Sequence, residues 1–450
     1  MRISFDVPED ILHTLLDPVA LPPMARVRHH MRTHAPLPDV GSVVAAELRR
    51  PEVATLIQPG QRIAIGVGSR GIGRLPEIVA ALVAGLRAAG AEPFIFPAMG
   101  SHGGATAEGQ REVLAHLGIT EERVGAPVRS RMETVTLGQS EDGAAAHLDG
   151  LAAQADGIVF VARVKPHTAF RGPYESGLAK MIAIGLGKQA GAAACHAAGF
   201  GHIARVIPAL ARISIARAPI RFGLAVLENA HDQPYRILAV PAERIMADEP
   251  ALLDEARLAM PRIPFDAFDV LVIDEIGKNI SGDGADPNIT GRYPTPDASG
   301  GPVVNKQVVL DLTSETGGNA NGLGTADFTT VRAARKLILG RTYPNALTST
   351  VPRPVALPMV LPSDRMAIAA AVLTCNAVGR APRVVRIPNT LRLDELWISA
   401  ALVDEARRDP QITIAGEPAP LPFDDAGNLP EFASQRGPAL AAAASDTDAW

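Results

Sequence analysis

Short apolar runs that end in glycine alternate along this chain with longer segments of helical spacing. RIAIGVG at residues 62–68 is of the first kind, with the length of a strand buried on both faces. LPEIVAALVAGLRAAG at 75–90 follows, with apolar residues three and four apart and a glycine stop. EPFIFPAMG at 92–100 predicts the next strand, and TAEGQREVLAHLG at 106–118 predicts a helix opened by a threonine cap. GIVFVARV at 157–164 predicts a third buried strand that runs straight into Lys165-Pro166-His167. HIARVIPALARIS reads as helix despite its proline, and FGLAVLEN at 222–229 reads as strand. A break at 260–269, MPRIPFDAFD, separates the helical DEPALLDEARLAM from the strand DVLVIDEIG. Beyond it KQVVLDL and RVVRIPN read as strands, while TADFTTVRAARKLILG, SDRMAIAAAVLT and LDELWISAALVDEAR read as helices. The start, MRISFDVPED, reads as an edge strand. No fixed-period repeat is visible. The pattern predicts an α/β protein: two α/β domains with mainly parallel sheets and an active-site cleft between them. The expected limits are 1–260 and 266–432, with a flexible tail over 433–450.

Length agrees, since 450 residues exceed one ordinary core. The apolar fraction of 47% is normal for a soluble globular protein. A net charge of −5, with no basic run, argues against a nucleic-acid partner. No window reaches the ~18 apolar residues of a membrane span, and the start does not read as a signal peptide. Two cysteines, Cys195 and Cys375, cannot make a disulfide framework, so a reducing, cytoplasmic setting is expected. Oligomeric state is left open.

The chemistry concentrates in VKPHTAFRGPYESGLAKMIAIGLGKQAGAAACHAAGFGH, residues 164–202. Lys180 sits between small residues and the run MIAIGLG, a setting that desolvates an ammonium and lowers its pKa. His167 and His196 flank it in sequence, and His102 arrives in AMGSHGGAT after an earlier strand. In open α/β sheets ligands bind beyond the carboxyl ends of the strands, so His102 and His167 can face one cleft. The loop GVGSRGIGR leaves a third strand end and offers Ser69, Arg70, Arg74 and backbone N–H groups to a phosphate. Taken singly, a histidine after a strand is more often a hydrogen-bonding residue than a catalyst, and a lysine such as Lys180 can simply snorkel from a helix. Cys195 reads as a small core residue; His116, His147 and His202 read as structural or solvent-facing.

Taken together, these residues resemble the nickel-dependent lactate racemase family, whose members carry a nickel-pincer nucleotide. The matching features are the Arg-bearing first loop, the G-x-H loop at Gly100 to His102, Pro166-His167, the S-G-x-x-K motif at Ser176 to Lys180, and His196 sixteen residues later. The resemblance implies that Lys180 holds the nucleotide covalently through a thioamide, that His196 ligates nickel, and that His102 and His167 are the acid–base pair. It places Arg70 on cofactor phosphate, with Ser69, Arg74 and Gly177 beside the cofactor. It also implies cofactor biosynthesis enzymes as partners and a small 2-hydroxy acid as substrate, racemised or epimerised by reversible hydride transfer. Hydride loss is the easier route because the Cα proton of such an acid is poorly acidic, and each face of the substrate then needs its own base. Lys165, Arg171, Lys278 and Arg292 are the candidate cations for the carboxylate.

Three departures stand out. The first loop has no acid before its arginine, FRGPYE lengthens the stretch between His167 and Lys180, and EIGKNISGDGADPNITGR replaces the usual glycine-tyrosine-proline segment. The glycine-rich segment TGGNANGLGTADFTT and the Asp283 and Asp286 loop are further site candidates. Two other function classes therefore stay in view: a dehydratase or hydrolase with a directly bound divalent metal on the same scaffold, and a non-catalytic nucleotide- or metal-binding protein.

Overall fold

The computed structural model describes residues 8–430 and residue 432. Residues 1–7 of the expected edge strand and the expected tail over 433–450 lie outside them. Glu9 and Asp10 open a helix, Glu9–Leu16. The described chain divides into two compact units, one of residues 32–261 and 295–298, the other of residues 8–31, 262–294 and those described from 299 on.

The first unit is built on a five-stranded sheet in the order Glu92–Pro97, Arg62–Val67, Gly157–Arg163, Ile220–Glu228, Pro234–Pro241. The first four strands are parallel, and the last is antiparallel. Alternate side chains of the parallel strands enter two separate cores. Ala64, Phe96 and Phe160 face one, with Leu178, Ile182, Ile207 and Leu210 over them. Ile63, Ile65, Val159 and Phe222 face the other, covered by Val44, Ile78 and Leu82. Burial on both faces explains why these strands read as unbroken apolar runs. Each fully buried side chain of this kind contributes roughly 1.5–3 kcal/mol. The helices follow the pattern: Leu75–Ala88, Ala107–His116 with Thr106 accepting the Gly109 N–H, and Phe200–Arg217 with Pro208 inside.

In the second unit an eight-stranded sheet runs Met359–Leu361, Phe328–Thr330, Val303–Leu312, Ala267–Ile276, Val384–Ile387, Glu395–Ser399, Met24–His29, Ile412–Ile414. The first five strands are parallel; the rest pair antiparallel. Two expected helices need correction here. TADFTT holds the strand Phe328–Thr330, and the helix begins only at Val331, capped by the Thr330 hydroxyl. LDELWIS likewise forms the strand Glu395–Ser399. Leu396 and Ile398 are buried and Glu395 and Trp397 half-buried between them, along a strand that pairs with two neighbours, and that pairing overrides the weak helical spacing. Arg386 lies fully buried in this sheet, held in a two-pronged pair with Asp274 at 2.7 and 2.8 Å.

Gly223 ties the first sheet to what lies on it. A Cβ there would come 2.7 Å from both Leu178 Cδ2 and Phe160 Cζ. Gly223→Ala should therefore cost about 1–3 kcal/mol through overpacking, read as a lower denaturant midpoint. Gly340→Ala, with no atom within 4 Å of the added carbon and within the helix Leu339–Ser349, should hold the midpoint or raise it slightly. Equal midpoints for the two variants would show that the Leu178 segment does not pack as described.

Candidate active site

Because the four strands are parallel and in register, their carboxyl ends line up: Val67 lies beside Pro97 and Val161, and Arg163 beside Val226. Loops 68–74, 98–106 and 164–177 all leave this edge. They converge on the segment that carries Lys180. Leu178–Lys180 is a short helical turn that widens into a π turn, Met181–Gly185. A Cβ on Gly68 would meet Met181 Cε at 2.9 Å, and one on Gly100, at φ +58°, would meet Ile184 Cγ2 at 3.1 Å. Only glycine lets both loops lie this close.

His167 is half-buried and held on several sides. Its backbone N–H donates to Glu175 Oε2 at 2.6 Å, and its ring stacks at a tilt on Phe170, 4.3 Å between centroids. The Ala169 N–H donates to its Nδ1 at 3.0 Å. An amide N–H can only donate, so Nδ1 carries the lone pair and Nε2 the hydrogen. Burial, and then the charges of Lys180, His196, Arg171 and Arg70, push its pKa well below the ordinary value. His167 is thus a neutral ring whose Nε2–H donates.

His102 has the opposite tautomer. It stands in the loop after Glu92–Pro97 with its Nδ1 2.8 Å from the Met99 carbonyl. A carbonyl can only accept, so Nδ1 carries the hydrogen, and in the neutral ring Nε2 carries the lone pair. One ring therefore presents a lone pair at Nε2, and the other a hydrogen-bond donor there.

His196, near the end of the helix Lys188–His196, is brought to about 4 by burial first and the Lys180 charge second. Its Nδ1 is buried without a hydrogen-bond partner. The neighbouring Cys195 thiol is fully buried and pushed up to about 12, so it stays protonated. Arg171 donates to the His167 carbonyl at 2.6 Å and pairs with Glu175 at 3.3 Å. Lys165 pairs its backbone with Ser176, which closes the loop 165–176 at its base. Arg74 turns into the fold, to the Leu37 carbonyl and to Glu77, whereas Arg70 stands at the surface of the same loop with Ser69 half-buried beside it. In the other unit, Lys278 donates to the Gly282 carbonyl at 2.6 Å, and Arg292 pairs with Asp327. The two glycine-rich loops there knit together, with Asn321 donating to the Gly282 carbonyl at 3.0 Å.

Several carboxylates of the site escaped the sequence reading. Glu175, the last residue of the lengthening FRGPYE, is fully buried and also accepts from Gly172 N–H at 3.1 Å and Arg257 at 2.6 Å. Glu228 reaches the first loop from its own strand, accepting from Gly73 N–H at 2.6 Å and Arg163 at 2.6 Å. Glu249 lies fully buried under the Lys180 turn and accepts from Ala179 N–H at 2.8 Å. Nothing in their local sequence marks these three acids, because every partner but those of Glu175 is distant along the chain.

The comparisons with known proteins bear on this unit. Residues 18–206 match the family model described as the lactate racemase N-terminal domain. A solved structure, the lactate racemase apoprotein from Thermoanaerobacterium thermosaccharolyticum, is similar at 13% identity and a TM-score of 0.47, covering 87% of this chain and 96% of that one. No curated protein matches.

Removing the Lys180 charge should raise the pKa of both His167 and His196, since it is the foremost charge acting on each. An NMR titration of Lys180→Met against the parent protein checks this; unmoved histidines would place the ammonium elsewhere. His196 also makes stability pH-dependent. Its folded value lies below the ordinary 6.5 of a histidine, so as pH falls the unfolded chain takes up a proton that the folded chain refuses. Stability should drop between about pH 6.5 and 4, by on the order of 3 kcal/mol from this group, and His196→Gln should flatten that slope.

Proposed function

We propose, from the match of residues 18–206 to the lactate racemase N-terminal domain, that the chain racemises or epimerises a small 2-hydroxy acid by reversible hydride transfer, with a nickel-pincer nucleotide attached at Lys180. Racemase-type chemistry follows from the family in general. The observation that supports this particular form of it is the pair of opposite tautomers, His102 with a lone pair on Nε2 and His167 with a hydrogen there.

Lys180 and His196 suit the cofactor. Lys180 acts electrostatically on His196, and His196 is a neutral imidazole with an unpartnered buried nitrogen. Among the described residues no group of three or more His, Cys, Asp or Glu side chains could hold a metal ion. A single imidazole is too small a donor set, so a metal here must bring most of its ligands with it. That favours a pincer nucleotide over a directly bound divalent ion. Lys180 would hold the nucleotide and His196 would ligate its nickel. When bound, the cofactor supplies an acceptor for the Cα hydrogen with its electron pair, and gives both back.

The protein's own residues then handle the proton and the charge. His102 Nε2 takes the hydroxyl proton and, as the imidazolium, can return it, while His167 Nε2–H donates a hydrogen bond to the oxygen as it becomes a carbonyl. Arg70 and Ser69 bind phosphate of the nucleotide. Arg171, held by the His167 carbonyl and Glu175, and Lys165 on the same loop are the cations for the substrate carboxylate. The aromatic pair Phe170 and Phe200, 6.3 Å apart and each near His167, lowers the local polarity.

The test is to make the protein together with the cofactor biosynthesis enzymes. Intact and peptide mass should show an adduct at Lys180, lost in Lys180→Ala. A 2-hydroxy acid deuterated at Cα should invert with its label kept. His102→Gln and His167→Gln should each lower turnover by roughly 10²–10⁴ with substrate binding retained. Activity with an unmodified Lys180, or label lost to water, would overturn the proposal.

A further inference from the structure

Lys188 is a lysine where the fold gives up stability to keep one. Its side chain is fully buried, and its backbone sits at φ +54°, the left-handed region that residues with a Cβ rarely adopt. Burial alone pulls its ammonium towards neutrality, with Asp149 at 3.5 Å only partly offsetting it. An apolar side chain of similar volume is often neutral or stabilising in such a place. The lysine is therefore retained for what it touches.

It touches the footing of His102. Nζ donates to the Pro97 carbonyl at 3.0 Å, where the strand Glu92–Pro97 ends, and to Gln110 Oε1 at 2.5 Å. Gln110 is itself fully buried on the helix Ala107–His116. With its oxygen fixed by Lys188, its amide nitrogen must point the other way, and it donates to the carbonyls of Gly100 at 2.9 Å and His102 at 3.2 Å. The loop from 97 to 102 is thus bonded at both ends by one two-residue strut. Between those ends lies Met99, whose carbonyl sets the tautomer of the His102 ring.

We propose that Lys188 and Gln110 are positioning residues that hold the 97–102 loop so that the Met99 carbonyl keeps His102 in its proton-accepting tautomer. The inference rests on the reading of His102 as a base, yet its first test does not need the enzyme to be active. Gln110→Glu keeps the size of the side chain and an acceptor for Lys188 but has no N–H to give the loop.

The experiment uses the full chain with ring-¹⁵N-labelled histidine. In the parent protein the His102 signal should report hydrogen on Nδ1. In Gln110→Glu and Gln110→Met it should move towards the Nε2–H form that free imidazole side chains prefer, and amide exchange over residues 99–106 should quicken at least tenfold. The Lys180 and His196 segment should keep its exchange pattern. Lys188→Met should do the same if it folds, and the two Gln110 variants carry the test if it does not. In active enzyme these variants should lower kcat about tenfold or more with little change in KM. An unchanged His102 tautomer and unchanged exchange in both Gln110 variants would overturn the strut. A shifted tautomer with unchanged turnover would keep the strut and overturn His102 as the base.

Discussion

The site depends on one short turn, Leu178–Lys180, and on the buried carboxylate beneath it. Glu249 comes from the helix Ala242–Ala259 and is fully buried. Its charge is costly there, and burial raises its pKa to about 7. The amides of Ala179 and Leu178 turn towards it and offset part of that cost. Gly177 lies directly against its second oxygen, so a side chain at that position would displace the acid. The glycine of Ser-Gly-x-x-Lys is thus a packing requirement imposed from another helix. On the opposite side Gly223 admits Leu178 to the sheet. Lys180 is aimed because its turn is fixed at both of these points.

The aimed charge then acts on its neighbours. Lys180 stands among the causes that lower both His167 and His196, behind burial in each. Two imidazoles that would be partly protonated near neutral pH become neutral, the form in which an imidazole can ligate a metal or keep a defined tautomer. The acid that would undo this, Glu175, is occupied by Arg257, Arg171 and two backbone N–H groups. Its charge is spent on loop geometry and leaves the field around His167 positive, a field suited to an anionic ligand.

How much of this the sequence disclosed follows from the range of the interactions involved. The buried parallel strands were legible because burial on both faces demands an unbroken apolar run, as in Arg62–Val67 and Gly157–Arg163. Phe328–Thr330 and Glu395–Ser399 were not, since each is short and borders a real helical segment, and only pairing across the sheet decides it. The strand Met24–His29 was invisible for the same reason: its partners lie more than 350 residues away. The histidines and Lys180 stood out by type and spacing. Glu249, Lys188 and Gln110 did not, because a buried polar side chain is identified by its partner, and the contacts of Glu249 with Ala179 and of Lys188 with Pro97 and Gln110 span 70 to 91 residues.

The same argument changes the meaning of the departures from the family pattern. The first loop lacks an acid of its own, but it does not lack a carboxylate. Glu228, from the end of a strand 155 residues on, accepts the Gly73 N–H and holds Arg163. The lengthened stretch after His167 does not loosen that histidine either. Its last residue, Glu175, folds back eight positions to take the His167 N–H, while Arg171 within it takes the His167 carbonyl. An insertion that only enlarged a loop would leave these backbone groups to water. This one replaces water with a buried acid and an arginine, so the backbone of His167 is fixed on both its N–H and its C=O. The chain meets the local constraints of the site with residues drawn from elsewhere in the same unit, so these loops are held from outside their own sequence.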